Sequence, residues 1–292
     1  MQKNRNFQKE LLKIIEDIKA TGKKPTLLLH ACCGPCFTVP FELIKDYFKI
    51  TVLYNNSNIY PKEEHDRRID EFKRYLKEIS ADIEIIEVPY DNVSYNKDLE
   101  PYADLPEGHE RCRVCFRKRF EYGFSLAAKK SFDYFGTVMT ISRYKNARDI
   151  NNIGYELEAK YAPVKWLPAD FKKNNGYENS LLIIREHEMY FQEYCGCIFS
   201  YKKYLEKLKN KQWFFIFDLF WHAYVRCLKS AIYYNNLKKI YFSRWHIRVK
   251  RVVFYRWRLA LMCEVADTPT GVVMKVYSGN SHWESYVKAW KW

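Results

Sequence analysis

The sequence predicts an α/β protein with a mostly parallel sheet and helices on both faces. Short apolar runs bounded by turn residues alternate with amphipathic stretches from Phe7 to Lys209, the pattern of strands and crossover helices. A hydrophobic content of 48% is enough for a packed core. No internal repeat or low-complexity segment interrupts the alternation.

The elements follow in order. Residues 6–20 form a helix, with Phe7, Leu11, Ile14, Ile15 and Ile18 on one face, closed by Thr21-Gly22. Pro25 leads into a strand from Thr26 to Ala31. A turn follows, then a helix from Thr38 to Tyr47, a strand over 49–55, and a helix from Lys62 to Ile79. In that last helix Glu63/Arg67 and Glu64/Arg68 stand at i,i+4. Residues 83–90 read as a strand and the polar stretch down to Gly108 as irregular. A basic helix runs from Cys112 to Lys130, a buried strand over 132–142, and a helix from Asn146 to Lys160. A strand over 163–168, a helix from Ser180 to Tyr190 and a last helix through Lys209 complete the alternation.

The composition breaks near Asn210, predicting an α/β domain over 1–210 and a basic, aromatic extension over 211–292. The extension carries 14 Lys and Arg against four Asp and Glu, and seven of the eight Trp. The stretch 242–263 alternates Arg with apolar residues and reads as strands, suited to an RNA stacking surface or an anionic membrane surface. A tail without a role is the simpler account. Residues 213–225 read as a helix or strand with one wet side, because Asp218 and His222 interrupt them. No apolar run is long enough to span a membrane.

Nine cysteines with no export signal predict a reducing, cytoplasmic setting, where clustered thiols bind metal or do redox chemistry. Seven of them form three groups: Cys32, Cys33 and Cys36; Cys112 and Cys115; Cys195 and Cys197. Cys227 and Cys263 stand alone. The first group lies in HACCGPC, directly after the first strand. In a parallel sheet that loop is a ligand position. A nucleotide-binding protein would place glycines there; here thiols replace them. C-x-x-C at a helix start turns two sulfurs toward one point and favours thiolate. Gly196 lets the 195–197 backbone fold tightly. Each group sits at a loop-to-helix junction, so all seven sulfurs can gather at one end of the sheet. Spacing alone leaves zinc, an iron–sulfur cluster and a metal-free dithiol open. Seven sulfurs exceed one closed four-ligand site, which favours a cluster with a second metal or redox site.

HACCGPC, NNSNIYPKEEHDRR, ERCRVCFRKR, TISRYKNARDIN, LPADFKKNNGY and YCGCIFS together resemble the QueH family, the metal-dependent epoxyqueuosine reductases of tRNA modification. The resemblance runs from about Thr26 to about Leu208. It implies a Rossmann-like fold similar to that of the PP-loop ATP-using tRNA enzymes. Their Ser-Gly-Gly-x-Asp-Ser signature is absent, so ATP use is not expected. It also implies reduction of epoxyqueuosine to queuosine at the wobble position of tRNA. A [4Fe–4S] cluster would be held by Cys32, Cys33, Cys112 and Cys115. Cys195 and Cys197 match a redox-active pair, or join Cys36 around a second metal ion, iron. Two other readings are a cluster-dependent tRNA sulfur-transfer enzyme and a zinc-stabilised RNA-binding protein.

Turning an epoxide into an alkene releases its oxygen as water and takes two electrons and two protons. A [4Fe–4S] cluster passes one electron at a time, so a second site at Cys195/Cys197 and an electron donor are needed. Asp170 is the carboxylate placed to supply a proton, or else a helix cap. Arg111, Arg113, Arg117, Lys118 and Arg119 flank the C-x-x-C pair, and Lys172 and Lys173 follow Asp170. They are the candidate anticodon-loop phosphate contacts. Tyr60, Phe116, Tyr144 and Phe171 are candidate base platforms, and Asn55, Asn56 and Asn58 candidate base readers.

Overall fold

A computed structural model describes residues 5–210 in full and, beyond them, the backbone of residues 251–256, 259–268, 271–278 and 287–288. Five strands, β1 (Thr26–His30), β2 (Lys49–Tyr54), β3 (Ile85–Glu87), β4 (Tyr134–Thr137) and β5 (Lys165–Trp166), form one all-parallel sheet in the order β3-β2-β1-β4-β5. β1 is central and nearly all buried, which is why TLLLH is a continuous apolar run rather than an alternating one. It pairs with β2 on one side (Leu28 with Thr51) and β4 on the other (Leu28 with Phe135). The chain winds outward from β1 through β2 and β3, then returns to β4 on the opposite side. That reversal opens a crevice beyond the carboxyl ends of β1 and β4, where ligands bind in such sheets.

The helices are α1 (Phe7–Thr21), α2 (Gly34–Ile44), α3 (Lys62–Glu78), α4 (Asn92–Lys97), α5 (Glu110–Lys129), α6 (Ala147–Lys160), α7 (Gly176–Glu186) and α8 over 198–210. They pack on the sheet through a core that includes Leu11, Phe37, Phe72, Phe120, Phe124, Phe135 and Trp166. Among the described residues no helix is long and apolar enough to cross a membrane.

Several boundaries differ from the sequence reading. α2 begins at Gly34, not Thr38, because Pro35 sits in its first turn, where no backbone N–H is needed. α4 and a 3₁₀ turn (Glu100–Tyr102) occupy the stretch read as irregular, and the Asp91 carboxylate caps α4 by accepting from the Ser94 N–H. The strand expected over 132–142 ends at Thr137. The Thr137 hydroxyl accepts from the Met139 N–H and turns the chain into a 3₁₀ segment, Val138–Ile141. The outer strands are shorter than the apolar runs that encode them.

The chain folds as two compact units, Met1–Phe214 and Phe215–Trp292. In the second, β6 (Arg251–Arg256), β7 (Leu259–Thr268), β8 (Gly271–Ser278) and β9 (Val287–Lys288) make an antiparallel sheet in sequential order. Arg256 pairs with Leu259 and Thr268 with Gly271. The stretch 213–225, Cys227 and the side chain of Cys263 lie outside the described residues.

Candidate metal centre

The crevice is lined with sulfur. β1 delivers His30 and Ala31 to its carboxyl end, and Cys33 caps α2 with extended backbone. Cys32 and Cys33 precede the helix and Cys36 lies in its first turn, so the three buried sulfurs gather within 4.8 Å of one another. The Asn56 amide N–H₂ donates to the Ala31 carbonyl at 2.8 Å and ties the loop after β2 to this turn. The Gln192 N–H₂ donates to Cys33 Sγ at 3.3 Å and reaches Cys36 Sγ at 3.8 Å.

The three thiols share protons unequally. Hydrogen bonds from Cys33 and Cys36 hold Cys32 well below the ordinary thiol range, and Lys145 adds to the effect. Burial pushes Cys33 up, and Cys36 is raised by the hydrogen bond that Cys36 itself gives to Cys32. His30 is wholly buried and donates to or accepts from Thr137 Oγ1 at 2.9 Å. Burial and the Arg119 charge lower its pKa to about 3, so the ring is neutral.

Cys112 and Cys115 occupy the first two turns of α5. Cys112 Sγ accepts from the Gly108 N–H at 3.2 Å, and Cys115 Sγ from the Tyr95 hydroxyl at 3.3 Å and Arg119 Nη2 at 3.5 Å. The helix start does not make Cys112 acidic: burial outweighs the Gly108 bond and raises it, with Cys195 adding. Cys195 and Cys197 sit just before α8. The Cys197 thiol holds Cys195 well below the ordinary range, assisted by Lys145, Arg119 and Arg68. Cys197 also donates to Ser200 Oγ at 3.3 Å. All seven cysteines are free thiols.

Three cations each act electrostatically on sulfurs of more than one group. Lys145, in the loop after β4, acts electrostatically on Cys195, Cys32 and Cys36. Arg119 acts on Cys115, Cys32 and Cys195, and Arg68 on Cys33, Cys32 and Cys195. The close set is Cys32, Cys33 and Cys36, whereas Cys112 and Cys115 point their sulfurs to Gly108, Tyr95 and Arg119. Lys145, Arg68 and Gln192 were not singled out from sequence. Each lies in a polar stretch whose folding, not its composition, aims it at sulfur.

The basic residues divide sharply. Arg111 and Arg119 are buried, so the expectation that they meet phosphate is corrected. Arg111 donates to the carbonyls of Tyr102, Ala103 and Leu105, and Arg119 to Cys115 O. Burying a guanidinium is tolerated only with such partners. Arg113 pairs with Glu110 and Asp149, Arg117 with Glu156, and Lys118 with Asp98. Lys172 pairs with Asp170 at 2.8 Å and donates to Thr140 O; Lys173 is exposed. Asp170 is therefore ion-paired and half-buried beyond β5. Of the aromatic candidates, Phe116 and Phe171 are core residues, Tyr60 packs edge-on against Tyr201, and Tyr144 is 82% exposed. Asn55, Asn56 and Asn58 are buried at the carboxyl end of β2.

Three buried sulfurs within bonding distance of a common centre, and cations to balance thiolate charge, suit an anionic metal–sulfur group. The donor set has no carboxylate among its sulfurs, so it selects a thiophilic metal over calcium or magnesium.

Comparison with known proteins identifies the family. The family model described as epoxyqueuosine reductase QueH matches residues 27–203. The chain is 35% identical to the epoxyqueuosine reductase QueH of Streptococcus pyogenes over 201 residues, which is 68% of this chain and 78% of that protein. It is 37% identical to that of Staphylococcus epidermidis over 204 residues, 68% and 85% of the two chains. With the Thermotoga maritima protein it shares 30% over 183 residues, 62% and 93%. A match that begins in β1 and ends in α8 takes in all seven clustered cysteines, and the chain belongs to the epoxyqueuosine reductase QueH family.

Proposed function

We propose that this protein reduces epoxyqueuosine to queuosine at the wobble position of tRNA, with iron bound at the cysteine centre. The observation that carries this reading is the buried Cys32–Cys33–Cys36 group at the crevice of the parallel sheet, joined electrostatically through Lys145 to Cys195. An iron–sulfur group bound there supplies electrons singly. Cys32, Cys33, Cys112 and Cys115 are the proposed ligands of a [4Fe–4S] cluster. The hydrogen bonds to the sulfurs of Cys33, Cys112 and Cys115 are of the kind that tune such a group.

Cys195 and Cys197 are the second site, with Cys36, either as a dithiol or around a further iron ion. Lys145 and Arg68 balance their charge. Loss of the epoxide oxygen as water, leaving an alkene, consumes two electrons from an external one-electron donor and two protons. Asp170, ion-paired to Lys172, is the proposed proton source. Tyr144 is the exposed ring on which an anticodon base could stack, and Arg113, Arg117, Lys172 and Lys173 the basic side chains open to phosphate once their partners exchange. A cytoplasmic location follows from this substrate.

The test is direct. Chemically reduced protein is mixed with tRNA carrying epoxyqueuosine, and the nucleosides are weighed. Conversion to a product lighter by one oxygen atom supports the reading; unchanged tRNA with a fully loaded iron centre contradicts it. Cys197→Ser should keep the visible spectrum and lose at least about 100-fold in rate, as removal of a group acting in the chemical step does. Full activity in that variant would remove Cys197 from the mechanism.

A further inference from the structure

Glu64 and Arg68 look in sequence like an ordinary i,i+4 pair on a solvated helix. In the fold Arg68 is 2% exposed and Glu64 9%. Each nitrogen of the Arg68 fork donates once: Nε to Glu64 Oε1 at 2.7 Å, Nη1 to the Cys195 carbonyl at 3.3 Å and Nη2 to the Tyr194 carbonyl at 3.2 Å. The other Glu64 oxygen accepts from the Tyr190 hydroxyl at 2.8 Å, and Glu71 accepts from the Tyr190 N–H at 3.1 Å. Residues 190–197 belong to no helix or strand, so their carbonyls need partners from elsewhere. α3 provides them.

The fit is close on the far side as well. Gly196 has φ +115°, and a Cβ there would stand 3.0 Å from Arg68 Nη1 and 3.3 Å from Ile59 Cγ1. The Gly196 carbonyl accepts from the Tyr60 N–H at 2.7 Å. The same guanidinium acts electrostatically on Cys33 and Cys32. One buried cation thus touches the backbone of one cysteine group and the charge of another.

We infer that Arg68 is a positioning residue that fixes the Cys195–Gly196–Cys197 turn against the Cys32–Cys33–Cys36 group. This rests on the proposed function only in that the two groups are taken to work together. A lysine cannot replace it, because one ammonium cannot serve a carboxylate and two diverging carbonyls in a planar fork.

The test uses the full chain, purified with its iron, and three changes: Arg68→Lys, Gly196→Ala, and Glu64→Gln with Arg68→Met, which removes the pair without stranding a buried charge. The readout is the alkylation rate of Cys195 and Cys197 by peptide mass spectrometry, with Cys115 as internal reference, alongside the visible spectrum. Each change should raise Cys195 and Cys197 alkylation relative to Cys115 by about tenfold, as loss of local pinning does, and alter the spectrum. Arg68→Lys combined with Gly196→Ala should give less than the product of the two single effects, because both act on one contact. Unchanged alkylation in folded variants, or effects that multiply, would overturn the inference. If the double change fails to fold, Gly196→Ala decides, since it deletes no charge. Wild-type protein inactive on tRNA, with these alkylation effects intact, would refute the proposed function and leave the positioning role standing.

Discussion

Gln192 shows what a single side chain contributes here. Its N–H₂ is the one described side-chain amide donating to the sulfurs of Cys33 and Cys36, and N–H···S bonds raise the reduction potential of a cluster by stabilising added negative charge. Gln192→Leu keeps the size and removes the donors. The midpoint potential, followed by a spectroscopic redox titration, should fall by on the order of tens of millivolts. An unchanged potential would mean that Gln192 does not touch the redox group. At this scale the cysteines were legible from spacing, because adjacent thiols after a buried strand have few other uses. Arg68, Lys145 and Gln192 were not. Their roles depend on loops after β2, β4 and α7 meeting beyond β1, and no local pattern records that meeting. Arg111 and Arg119 misled for the same reason: a basic run on a helix reads as solvated, yet two of its members turn inward.

At the scale of elements, the loop that carries Asp170 is held by one residue of α6. Asn151 is wholly buried. Its N–H₂ donates to Ala147 O and Ala169 O, and its oxygen accepts from Trp166 Nε1 and the Ala169 N–H. All its bonding capacity is used, so β5 and the turn after it are locked to α6. Asn151→Leu strands several buried partners and should cost about 3 kcal/mol or more, lowering the thermal midpoint by about 10 °C. A midpoint within about 2 °C of wild type would show that the loop relaxes freely. The existence and order of the elements could be read from periodicity. Their ends could not, because they are set by tertiary partners and caps: Pro35 extends α2 backward, and the Thr137 hydroxyl stops β4.

For the whole molecule, the winding of the sheet explains why groups as far apart in the chain as Cys36, Cys112 and Cys195 act on one another. Strands that fan out from a central β1 and reverse at β4 bring the loops after β1, β2 and β4 to one end. The family match stops at residue 203, short of the basic second unit. A chain ending at Phe214, the limit of the first unit, should therefore keep the proposed iron centre and the reductase activity. Its tRNA affinity should show the same slope against salt as the full chain. A slope reduced by several released counterions would instead make the second unit an RNA-binding module. Of the stretch 242–263, residues 251–256 and 259–263 are strands, as the alternating Arg and apolar residues suggest, but the pattern names no partner.

Reduction as proposed requires iron held by this chain's sulfurs, and the decisive measurement is metal analysis of anaerobically purified protein with its visible spectrum. About four or more iron atoms per chain with matching sulfide, and broad visible absorption that bleaches on reduction, are expected. Colourless protein carrying about one zinc and accepting no electrons would contradict it.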